Sequence, residues 1–239
     1  MTADAAPSES EKRAGPILAL WMALMVALQG AVWIAGFRPA ALESAVERGS
    51  AKIETKGVGE VADEVIRKAI RMQQDSLPFW RTLVLIGDLA IAPLGLAVRA
   101  FLVATFFAGV AALTGRPIGF AEALAACAKA QGFWVLGKAV QVALMFALRR
   151  NEVETSLALF LPAGTYPATA WVGLRQVDFF ALMGWIALVR GGWKRGQVNL
   201  ATAIAICTSL WLVEATLAVA GTLVVEAGMR LTLIPERTS

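Results

Sequence analysis

Four ionisable residues, Arg99, Lys138, Asp178 and Glu214, stand inside stretches of the chain that are otherwise apolar. Their formal charges cancel. A charge at the centre of a membrane helix costs about 2.5–3.5 kcal/mol on insertion scales, so such side chains turn toward one another or toward a polar path. Two chemistries fit: a buried polar network that sets helix register, or a proton or ion relay. Snorkelling of Arg99 and Lys138 to an interface is a third solution. Asp88 lies nearer the opening end of its stretch, and Gln131, Gln141 and Asn199 add polar partners without a pattern that names a substrate. The chain has no histidine. That removes imidazole ligation of haem or zinc and every histidine-assisted nucleophile. Gly191-Gly192 lacks the lysine and hydroxyl residue of a phosphate-binding loop. Cys127 and Cys207 fall within apolar stretches and read as small buried apolar residues. No catalytic, cofactor-binding or metal-ligating constellation emerges, and the chain reads as a non-enzyme.

The elements that must hold these charges are membrane helices. The 239 residues are 58% hydrophobic and 17% charged, with a mean hydropathy of +0.64. A soluble domain is closer to half apolar and a quarter charged. Five apolar stretches begin near Ile17, Leu83, Ala121, Val177 and Val198, and about 20 apolar residues suffice to cross the hydrocarbon core. The fold expected is all-α: an integral-membrane five-helix bundle with an amphipathic extramembrane helix between spans one and two. Residues 1–14 read as a disordered tail, 15–37 as the first anchor, 38–78 as a charged extramembrane segment, 79–226 as a four-helix transmembrane core and 227–239 as a second tail. The first anchor is too long for a signal-peptide core and lacks a small-x-small cleavage site, so it reads as uncleaved. Pro16 suits a first helical turn. In span two, Phe79 to Leu113, Pro93 predicts a kink, and Ala104, Ala108 and Ala112 predict a small-residue stripe for close helix contact.

Within 38–78, Val58, Val61, Val65, Ala69 and Met72 recur at helical spacing. Asp63 precedes Arg67 by four residues and Glu64 precedes Lys68 by four, each pair worth a few tenths of a kcal/mol on a helix face. Those five apolar residues are the candidate interaction surface: a helix capping the bundle, docking a partner or lying in the headgroup plane. The segment Leu157 to Pro162 is too short to span and lies on or dips into the interface. Span four runs from Trp171 to Val189, and Arg190, Lys194 and Arg195 form a basic turn before span five. Counted from that turn at 1.5 Å per residue, Arg99, Lys138, Asp178 and Glu214 lie at comparable depths of roughly 15–24 Å, so mutual pairing is geometrically open. The formal charge of +4 is spread over every connector. It makes no nucleic-acid stripe, and charge alone does not orient the chain.

Three segments carry a resemblance. Gly115-Arg116-Pro117-Ile118-Gly119-Phe120-Ala121-Glu122-Ala123, continued by Ala125 to Gln131, is similar to the glycine turn and small-residue helix of the bacterial branch of the Yip family. Glu154-Thr155-Ser156-Leu157-Ala158-Leu159-Phe160 resembles that family's connector after span three. Val177-Asp178-Phe179-Phe180-Ala181-Leu182-Met183-Gly184-Trp185, followed by Lys194-Arg195-Gly196-Gln197, resembles the opening of span four and its basic turn. The resemblance covers roughly Leu83 to Leu212. It implies five spans in a plasma (inner) membrane, with the N-terminus and basic turn cytoplasmic and the C-terminus outside. It further implies a membrane-organising scaffold or accessory subunit whose partners are the bilayer and other membrane proteins or further copies of itself. The long cytosolic N-terminal region of the branch linked to Rab-type GTPases is lacking here, and Rab binding is not expected. A small transporter or channel using the buried charges, and a structural subunit of a larger membrane complex, are the alternatives.

Overall fold

The fold is that of a computed structural model describing residues 9–57, 62–115, 119–160 and 168–233. The described residues are all-helical apart from turns and one isolated bridge: α1 (Glu9–Ile34), α2 (Phe37–Gly57), α3 (Asp63–Ile86), a π-helical turn (Gly87–Ile91), α4 (Ala92–Leu113), α5 (Phe120–Ala130), α6 (Gly132–Leu148), a short 3-10 turn (Leu157–Phe160), α7 (Ala168–Arg175), α8 (Phe179–Lys194) and α9 (Leu200–Leu233). Four stretches are long and apolar enough to cross a membrane: Ala14–Ile34, Asp63–Leu113, Phe120–Leu148 and Leu200–Leu223. The protein is membrane-embedded. The expectations for residues 1–8 and 234–239, and for Val58 and Val61, lie outside the described residues.

Several boundaries differ from the expected ones, each for a local reason. α1 starts at Glu9, so Pro16 lies within the helix rather than in its first turn. The α1–α2 corner turns on Gly36, whose φ of 79° is left-handed and suits a residue without Cβ. The amphipathic helix does not stand apart from span two. Asp63 to Leu113 is one 51-residue helical stretch. Pro78 lies inside it without ending the helix. The expected distortion near Pro93 takes the form of the π turn just before it, where the Ala92 amide donates to the Gly87 carbonyl. In α4 the buried small residues are Ala100, Ala104 and Ala111, with Phe107 among them, while Ala108 is half-buried and Ala112 exposed. A strict four-residue repeat drifts around a helix of 3.6 residues per turn, so the stripe bends off the expected alanines.

Span four is not one helix. α7 stops at Arg175 and α8 restarts at Phe179. Asp178 is therefore the N-cap of α8 and not a residue inside a helix. Its Oδ1 accepts from the amides of Phe180 (2.8 Å) and Ala181 (3.1 Å). Asp178→Ala is expected to lower stability by about 0.5–2 kcal/mol, the usual cost of losing such a cap, with Asp178→Asn retaining most of it. Unfolding of the purified protein in mild detergent checks both.

Packing is ordered in three stacked clusters along α1. Leu18 joins the largest, with Val103, Phe107, Cys127, Leu188 and Cys207. Met25 meets Leu96 and Val135, and Val32 meets Val142 and Met145. The ascending numbers show α1 and α5–α6 running parallel, with α4 antiparallel to both. α5 is the central helix: Ala123, Ala126, Cys127, Ala128 and Ala130 are buried, and their small side chains let neighbouring helices approach closely. Ala14, the basic turn and the start of α9 share one end of the bundle. The α2–α3 hairpin and the C-terminal half of α9 share the other.

Candidate functional site

Arg99 is the centre of the buried polar group. It projects from α4 with its side chain 12% exposed. Its Nε donates to Glu214 Oε2 at 2.9 Å, and its Nη2 reaches Glu214 Oε1, so α9 is held by a two-pronged ion pair. Its Nη1 donates to Gln131 Oε1 at 3.1 Å. Gln131 is fully buried at the break between α5 and α6, and its own amide nitrogen donates to the Cys127 carbonyl at 3.3 Å. The guanidinium also lies 4.2 Å from the centre of the Trp134 ring, in cation–π range. Trp134 stacks edge-on against Trp185 of α8, 5.8 Å between centroids. Four helices (α4, α6, α8 and α9) and the α5–α6 break thus converge on one cation near the middle of the bundle. Such a forked, multiply bonded pair is the geometry in which a buried charge is tolerated.

Asp178 and Lys138 stand apart from Arg99 and Glu214. Lys138 Nζ donates to Gln141 Oε1 at 3.0 Å, and Gln141 Nε2 donates to the Val153 carbonyl at 2.8 Å. Asp178 Oδ2 accepts from Thr155 Oγ1 at 2.5 Å. Glu154 pairs with Arg175 at 3.1 Å and accepts from the Ser156 hydroxyl.

A further clasp joins residues that no sequence pattern linked. Asp88, in the π turn, accepts from Trp33 Nε1 (3.0 Å) and from Arg38 Nε (2.9 Å) and Nη2 (3.3 Å). This fastens the end of α1 and the start of α2 to the long helix at the membrane edge. The available signal was positional: an acid near the opening of span two and an arginine just past the end of span one.

On the hairpin, Ala69 is 2% exposed and turned inward, Val65 is half-buried, and Met72 is 48% exposed. Ser50 donates to Gln73 at 3.1 Å across the hairpin, and Arg81 lies 3.7 Å from Glu43. The outward apolar edge is Met72, Phe79, Leu83 and Ile86. No group of three or more metal-ligating side chains occurs among the described residues. Comparison with family models, curated proteins and solved structures finds no match for the chain.

Proposed function

We propose that the chain is a non-enzymatic, multi-pass membrane protein that organises its membrane or serves as an accessory subunit of a larger assembly. The observation that supports this is the division of labour between interior and hairpin. The Arg99 guanidinium is satisfied by Glu214 and Gln131. The hairpin, internally tied, presents the apolar edge Met72, Phe79, Leu83 and Ile86 outward. In mild detergent the protein should migrate above its own 25.3 kDa after correction for bound detergent, and Phe79→Arg should return it to that mass. A single-chain mass before the substitution, or one unchanged by it, removes the reading. The transporter alternative draws on the irregular backbone around Asp178, and ion flux in protein-containing liposomes separates it.

The same reading has five crossings, α8 being the short fourth, with the N-terminus and basic turn cytoplasmic and the C-terminus outside. The Yip-like motifs around Gly115 and Asp178 support it. Cys127 and Cys207 are buried, so they leave a low background for thiol labelling of whole cells. Asp75→Cys should label from outside and Ser10→Cys should not. The reverse pattern overturns the orientation.

A further inference from the structure

The long helix carries an apolar seam that the described residues of its own bundle leave exposed. Met72, Phe79 and Ile86 follow one another at intervals of seven residues, and Leu83 and Ala90 stand four after Phe79 and Ile86. Alternating steps of four and three residues are the spacing of a coiled-coil contact. All five side chains are exposed, Phe79 at 63%. Ser76, between Met72 and Phe79, is neutral, and its hydroxyl donates to the Gln73 carbonyl of its own helix at 2.7 Å. α2 covers a different face, where Ala69 and Gln73 are buried and Ser50 reaches across to Gln73.

Height decides what can cover this seam. The clasp of Asp88 to Trp33 and Arg38 marks the membrane edge on the hairpin side. At 1.5 Å per residue, Leu83 stands about 7 Å beyond Asp88, Phe79 about 13 Å and Met72 about 24 Å. The headgroup layer adds only about 5–7 Å to each side of the hydrocarbon core. The charges at that level agree: Arg81 and Glu43, 3.7 Å apart, are each about half exposed, and Asp75 is exposed. Lipid tails therefore do not reach Phe79 or Met72, and a run of exposed apolar side chains standing in water marks a protein contact.

Symmetry names the occupant. Two copies of one chain enter a membrane in the same orientation, so their long helices stand parallel and at equal height. A two-fold axis along the membrane normal then sets each seam residue against its own counterpart. The seam suits such self-matching, because every seam position from Met72 to Ala90 is apolar or neutral. The flanking positions Gln73, Asp75, Trp80 and Thr82 set no like charges opposite one another in a parallel pair. We propose that the long helix forms a parallel two-stranded coiled coil with the same helix of a second copy, along Met72, Phe79, Leu83, Ile86 and Ala90. This rests on the reading of the chain as an assembling membrane protein and names the partner.

The test uses the full chain in lipid membranes. Met72→Cys, Phe79→Cys and Ile86→Cys are made singly, beside Gln74→Cys and Arg81→Cys, which are exposed on another face of the helix. Oxygen with copper phenanthroline takes the electrons and protons of two thiols and leaves a disulfide, which requires Cβ atoms about 4 Å apart. The three seam variants should yield a product of two chains. The Gln74 and Arg81 variants, and the parent protein with its cysteines buried, should remain single chains. All five positions are exposed, so folded yield should equal that of the parent. Equal cross-linking at all five positions, no two-chain product at any seam position, or a seam product with a different protein overturns the coiled coil. Native mass in mild detergent keeps the two readings apart. A mass above one chain without a seam product removes the coiled coil and leaves the assembly reading standing, whereas a single-chain mass removes both.

Discussion

Replacing Arg99 with methionine is expected to destabilise the bundle by about 3 kcal/mol, the lower end of the cost of breaking a buried pair, because the Glu214 side chain is 45% exposed. Glu214 would be stranded in the membrane, and the buried Gln131 oxygen would lose its donor as well. Glu214→Leu should do comparable damage by orphaning the guanidinium. The double variant Arg99→Met/Glu214→Leu should recover a large part of the loss, because the desolvation of both charges disappears together. Folded yield and denaturant unfolding in detergent read all three. If each single variant folds normally but loses an ion or proton flux in liposomes, the pair is a working relay and the scaffold reading falls.

Gly184→Leu is expected to be the most damaging apolar substitution in α8. A Cβ at this position would already overlap the Trp134 ring, which packs against the bare backbone of α8. Overpacking of this kind typically costs about 1–3 kcal/mol. Here the ring that must move also faces Arg99 and Trp185, so further losses of about 0.5–2 kcal/mol follow from the cation–π contact alone. Gly184→Ala should show a smaller loss of the same sign. Adding Trp134→Ala to Gly184→Leu should restore part of the folded yield by exchanging volume across the interface. If Gly184→Leu matches the parent protein in unfolding, the close α6–α8 approach is not a determinant of stability.

What the sequence revealed was whatever depends on long apolar runs. Membrane helices announce themselves by length and hydropathy, and counting 1.5 Å per residue placed Arg99 and Glu214 at one depth without any knowledge of the partner helix. The same counting gave Asp178 a depth but not its role, which is to cap α8. Depth along an assumed continuous helix says nothing about a break, although an aspartate followed directly by an apolar helical run is an N-cap pattern. The π turn and the Asp88 clasp were not legible, because they arise from how the end of α1 meets the long helix in space. Gln131 was visible as a polar residue, but its role comes from the break between α5 and α6. Trp134 gave no signal at all. The inward turn of Ala69 was hidden for a related reason. A helical stripe shows that a face is apolar, not whether the covering surface is a partner or the neighbouring arm of a hairpin.

The Arg99–Glu214 pair also has a history. Its members are 115 residues apart in the chain. At 5–20 residues per second a ribosome needs about 6–23 s to make that interval. During that time Glu214 does not yet exist, and Gln131, only 32 residues behind Arg99, is made first. The glutamine is a partner of the guanidinium that is already made when Glu214 is not. A nascent chain released before α9 would carry an exposed mid-membrane cation, the kind of mark by which membrane quality control can recognise an unfinished protein.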